Sequence, residues 1–106
     1  SARAMGLALL GDKLPAATAA EWGLIWQCVD DMELKPAVEV LLAQLAQAPT
    51  RGLAATKRAL QGSASSTLHA QLDLERDLQR ELGYSADYRE GVAAFAAKRP
   101  PEFTGH

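Results

Sequence analysis

The sequence predicts an all-α chain. Three observations carry this expectation. Apolar residues recur at spacings of three and four over much of the length. Gly and Pro fall where helices end and begin. Only one short run reads as extended, and one strand alone cannot make a sheet.

The first helix is predicted over residues 2–10, with Gly11 just past its end. Arg3 is its one charge, and a helix that is apolar on most sides reads as buried. A buried first element with nothing ahead of it suggests a piece of something longer, and Ser1 reads as an expression scar. Pro15 opens a second short helix over residues 16–22, closed by Gly23. Leu24-Ile25-Trp26-Gln27-Cys28-Val29 follows, β-branched and aromatic, and reads as extended.

The third helix is predicted over residues 32–47, with Leu34, Val38, Leu41 and Leu45 on one face and Pro36 in the first turn. Pro49 ends it. Thr50 is the expected N-cap of a fourth helix over residues 51–60, closed by Gly62. The fifth, residues 67–82, carries Leu68, Leu72, Leu74, Leu78 and Leu82 on one side and Asp73, Arg76, Asp77 and Arg80 on the other. Glu75 sits inside the leucine stripe. Ser85 is the expected cap of a sixth helix, residues 86–98, with a stripe of Tyr88, Val92, Phe95 and Arg99. Pro100-Pro101 stops it.

At 106 residues the chain is expected to form a single helical domain with one core. Eleven Lys and Arg against thirteen Asp and Glu leave a net charge of −2, which argues against a nucleic-acid partner. No run reaches the ~20 apolar residues of a membrane span. The single cysteine, Cys28, excludes an internal disulfide and a multi-cysteine zinc site, and a reduced, cytoplasmic setting is expected.

Residue constellations for catalysis are missing. His69 and His106 lack metal-ligand spacing, and no metal site is expected. Cys28 has no adjacent base and reads as a packed thiol. Gly6 and Gly11 are five apart, as in a phosphate loop, but Asp12-Lys13 follows where Lys and Ser or Thr are required. Asp30-Asp31 precedes a helix and reads as a cap. Two features stand out. A carboxylate at Glu75 is costly unless paired, and Arg89 and Arg99 are the candidate partners of a structural ion pair. Phe95 and Lys98 are three apart at a helix end, so an aromatic face sits beside a cation that suits the helix dipole. Such a pair can stack a base and meet a phosphate, or be core packing beside a surface charge.

Several strings resemble the enoyl-CoA hydratase/isomerase (crotonase) family. Leu9-Leu10-Gly11-Asp12-Lys13-Leu14-Pro15 with Ala16, Ala19 and Gly23-Leu24-Ile25 is similar to one of its segments, Leu10 replacing the usual Thr. The stretch from Asp87-Tyr88-Arg89-Glu90-Gly91 through Phe95 and Lys98-Arg99-Pro100-Pro101-Glu102-Phe103 resembles its C-terminal tail, and Leu72-Asp73-Leu74-Glu75 its long helix. Trp22-Gly23-Leu24-Ile25-Trp26, Val29-Asp30-Asp31, Gln71 to Asp77 and Phe103-Thr104-Gly105 resemble a branch that isomerises ring-epoxidised phenylacetyl-CoA to its seven-membered oxepin.

The resemblance implies the C-terminal helical, trimerisation domain of a crotonase-like fold, with the N-terminal spiral of ββα turns absent. That spiral carries the oxyanion hole and the acid–base carboxylates, so no catalytic residue is expected here and the isolated chain is expected to be inactive. The implied substrates are acyl-CoA thioesters, with ring-epoxide isomerisation or an enoyl-CoA double-bond shift as the reaction. Coenzyme A enters as part of the substrate; no separate cofactor is implied. Phe95 and Lys98 match the family's contacts to the adenine and phosphate end of coenzyme A. The family assembles as a homo-oligomer, a trimer or hexamer; the fragment is expected as a dimer or trimer through Leu7, Leu10, Ile25 or Trp26. The alternative is a free-standing helical interaction module without catalytic activity.

Overall fold

The computed structural model describes residues 2–106. It is all-α, with no strand among the described residues. The helices are α1 (Ala2–Leu10), α2 (Ala16–Glu21), α3 (Asp31–Ala46), α4 (Thr50–Ser63), α5 (Leu68–Gly83) and α6 (Ala86–Ala97). The chain divides into two compact units, one running to Val38 and one from Glu39 to His106.

In the first unit, Ala19 of α2 is buried and its carbonyl accepts from the N–H groups of Leu24 at 2.9 Å and Ile25 at 3.4 Å. The chain therefore doubles back over the end of α2. Gly23 makes this possible, because its φ of 73° lies where a side chain is disfavoured. The run expected as extended is instead a bend followed by irregular chain. β-propensity alone cannot make a strand that has no neighbour to pair with. Arg3 lies 5.1 Å from the centroid of the Trp22 ring and donates to the Trp22 carbonyl at 3.4 Å. α1 is not the buried helix its composition suggested: none of its described residues is buried, and Leu9 and Leu10 stand exposed. Composition reports what a helix can bury, whereas burial needs a covering surface.

α3 begins at Asp31 with Asp31 and Glu33 in its first turn, where carboxylates favour the positive end of the helix dipole. The helix runs through Pro36, which lies beyond the first turn expected for it and removes one backbone hydrogen bond. The predicted stripe of Leu34, Val38, Leu41 and Leu45 remains exposed.

In the second unit α4 packs on α5 and α5 on α6. α4 runs past its expected end to Ser63. Its last carbonyls find hydroxyl donors: Ser63 Oγ donates to Leu60 at 2.8 Å and Ser66 Oγ to Gly62 at 2.9 Å. Gly62 thus lies inside the helix, where a Cβ would sit 3.7 Å from Leu74 of α5. Thr50 is the first helical residue rather than the cap, and Pro49 holds the cap position without a side-chain bond. Thr67 and Ser85 cap α5 and α6, accepting from Ala70 N at 3.3 Å and Tyr88 N at 3.0 Å. Leu78 of α5 and Ala94 of α6 are buried. The outer face of α5 is a solvated charge ladder, with Arg76 on Asp73 at 2.7 Å and on Asp77 at 3.0 Å.

Candidate functional site

α6 and the residues after it form the candidate site. The helix stops at Ala97 because Pro100-Pro101 cannot continue it. Lys98 N–H donates to the Phe95 carbonyl at 3.2 Å and Arg99 N–H to the Ala94 carbonyl at 3.1 Å. This paired closure is the Schellman arrangement, whose pivotal residue is usually Gly. Here it is Lys98, with φ 53° and ψ 40°. Lys98 is the one non-glycine residue with positive φ among the described residues. A side chain there costs roughly 1–2 kcal/mol.

One turn earlier stands Phe95, 88% exposed. Its stripe-mates Tyr88 and Val92 are exposed as well. The core-packing reading of this stripe is therefore corrected: α6 buries a different side, through Asp87 and Ala94. Phe103 closes over Gly91, where a Cβ would meet its ring at 3.6 Å. Tyr88, Val92, Phe95 and Phe103 then line one side of an apolar cleft of about 420 Å³. Pro49, Arg51 and Gly52 of the α4 start line another side.

The ion pair expected between Glu75 and Arg89 or Arg99 is not formed. Glu75 is exposed and accepts from Gln71 Nε2, one turn back, at 2.8 Å. An exposed carboxylate needs no cation to offset burial. Arg89 instead caps the end of α5, donating to the Tyr84 carbonyl at 3.1 Å. Arg99 leaves the helix with the left-handed turn at Lys98 and folds back to Glu90. Its Nη1 reaches Oε1 at 2.6 Å and its Nη2 reaches Oε2 at 2.9 Å. Glu102 N–H adds a third bond to Glu90 Oε1 at 2.8 Å.

Two carboxylates that sequence reasoning passed over thus organise the tail. Asp87 is 5% exposed and accepts from the N–H groups of Thr104 at 2.7 Å and Gly105 at 2.9 Å. Its own N–H donates to the His106 carbonyl at 2.9 Å. The available signal was the double proline. It throws the chain out of helix, so the N–H groups beyond it need acceptors, and Asp87 and Glu90 lie three apart on the preceding helix.

Arg99, and then the Glu102 N–H, hold the Glu90 carboxyl down to about 2 from its ordinary 4.5. A depressed folded-state value means a contribution present above about 4.5 and lost as pH falls toward 2. Following the Glu90 carboxyl carbon by NMR should give a midpoint near 2, with the Glu102 amide moving in step. A midpoint near 4.5 would show the clamp open in solution.

α6 thus ends in an exposed aromatic, Phe95, followed by a lysine in a left-handed turn. Residues 1–106 match the family model for enoyl-CoA hydratase/isomerase, and the chain belongs to that family. It is 59% identical over 104 residues to 1,2-epoxyphenylacetyl-CoA isomerase of Escherichia coli, covering 98% of this chain and 40% of that protein. It is 31% identical to trans-2-decenoyl-[acyl-carrier-protein] isomerase of Streptococcus mutans, covering 97% of this chain and 39% of that protein. The crystal structure of enoyl-CoA hydratase from Mycobacterium tuberculosis superposes with a TM-score of 0.89 at 31% identity, covering 99% of this chain and 42% of that one. The chain thus spans about 40% of the length of the curated relatives it matches. Among the described residues no helix is long and apolar enough to cross a membrane.

Proposed function

We propose that these residues are the C-terminal helical part of a longer, cytoplasmic enzyme acting on CoA thioesters, and that the whole enzyme isomerises ring-epoxidised phenylacetyl-CoA. The 59% identity to an isomerase of that name supports the substrate. The observation that carries this chain's own role is Lys98: a lysine occupies a left-handed turn that glycine would take without strain. Phe95, exposed one turn before it, offers its ring face to the adenine while the Lys98 ammonium meets a phosphate. Both groups bind and orient coenzyme A; the bond-making chemistry belongs to residues outside this chain.

The second task is assembly. Each unit exposes large apolar residues, Leu10, Trp26, Met32 and Leu34 in the first and Leu42 and Leu60 in the second, of a kind that other chain segments or a second subunit cover. The family match over residues 1–106 weighs against a free-standing module with no catalytic past.

In the full-length enzyme, Lys98→Ala should weaken acyl-CoA affinity by about 0.5–1.5 kcal/mol, and by less at high salt. Lys98→Gly should weaken it equally while raising stability by roughly 1 kcal/mol, because the strain at φ 53° is released. Steady-state kinetics at two ionic strengths and thermal unfolding check both. Unchanged Michaelis constants at both salts would leave Lys98 an ordinary solvated charge.

A further inference from the structure

We propose that Glu90 is a positioning residue for Lys98, holding the left-handed turn in place by clamping the chain that follows it. This role rests on Lys98 being a coenzyme A contact and deepens that reading. On the helix side, two backbone bonds close the turn, from Lys98 N to Phe95 O and from Arg99 N to Ala94 O. Helix ends fray, and a conformation disfavoured for any residue with a Cβ is readily lost by fraying. Something beyond the helix has to hold it.

Glu90 supplies that hold from the middle of α6. Both of its oxygens are engaged by Arg99, the residue directly after Lys98, at 2.6 and 2.9 Å. A guanidinium paired through two parallel bonds is fixed in direction as well as position. Arg99 Nη1 also donates to the Pro100 carbonyl at 3.0 Å, so the guanidinium braces the next peptide too. Pro100 and Pro101 have no N–H to offer. The first backbone donor beyond them, Glu102 N–H, is the one that reaches Glu90 Oε1, at 2.8 Å. Lys98 is thus anchored on one side by the helix carbonyls and on the other by one carboxylate. The Glu90 side chain is only 23% exposed, which limits competition from water.

The test uses the full-length enzyme and free coenzyme A, with affinity measured by calorimetry, so that turnover plays no part. Glu90→Gln keeps the shape and an acceptor for Glu102 but removes the charge facing Arg99. Lys98→Ala should weaken coenzyme A binding about two- to tenfold. Glu90→Gln should weaken it about two- to fivefold with Lys98 present and not at all in the Lys98→Ala background, since residues acting as a unit are non-additive. If Glu90→Gln does not fold, Arg99→Lys opens the same clamp from the other side and is measured in the same way. Unchanged affinity in Glu90→Gln beside a weakened Lys98→Ala overturns the positioning role and leaves the Lys98 contact standing. Equal losses in both backgrounds also overturn it, because Glu90 would then act elsewhere. A silent Lys98→Ala removes the contact itself and the positioning role with it.

Discussion

Asp87→Ala is expected to lower the stability of the protein by about 3 kcal/mol, the sum of two charge-assisted hydrogen bonds to backbone N–H groups. The carboxylate is 5% exposed, so water does not replace it while the tail stays docked. Without it the N–H groups of Thr104 and Gly105 have no acceptor at 2.7 and 2.9 Å, and the Thr104 hydroxyl loses its contact at 3.3 Å. The tail then detaches to reach water, which limits the loss but frees Phe103 from Gly91. Asp87→Asn should cost less, since one oxygen still accepts, although its amide NH₂ then faces a donor. Urea unfolding measures both variants. A midpoint unmoved by Asp87→Ala would show that the docked tail contributes nothing to stability.

Gly105→Ala is expected to cost roughly 2 kcal/mol from two separable causes. The first is conformational: φ at Gly105 is 82°, a region that a Cβ disfavours. The second is steric: a Cβ there would lie 2.6 Å from Thr50 Oγ1. Thr50 is β-branched and stiff, so the hydroxyl moves only by changing rotamer. The double variant Thr50→Ala/Gly105→Ala separates the two. It should recover the steric part and leave the roughly 1 kcal/mol of backbone strain. No recovery would mean that Thr50 and Gly105 do not meet in solution. Thr50 is not the cap of α4: it is the first helical residue, and Pro49 holds the cap position.

Helix identity was legible because it is a local property. Thr67 and Ser85 sit at helix starts, where a hydroxyl answers the free N–H groups, and Gly11, Gly23 and Pro49 mark breaks through backbone chemistry alone. The expectation failed where burial and the path of the chain beyond a helix decided the outcome. Glu75 seemed to need a cation because it falls within a leucine stripe, yet it is exposed and takes Gln71. Arg99 seemed to continue the stripe of the last helix, yet it lies past the turn at Lys98 and returns to Glu90. The nearness of Phe95 and Lys98 at the end of the last helix was legible from their spacing. The strain at Lys98 was not, since nothing in a lysine's identity announces a positive φ.

By itself, then, the sequence determined an all-α chain, the order of its helices and its family. These follow from periodicity, end-capping chemistry and motif strings, all of which act over a few residues. Only the tertiary structure decided which charges meet and which apolar residues are covered. Arg99 chose Glu90 over Glu75 because Pro100-Pro101 and the turn at Lys98 direct the chain back along α6. Leu10, Val38 and Phe95 stayed exposed because burial is a property of two surfaces, and a sequence pattern describes only one of them.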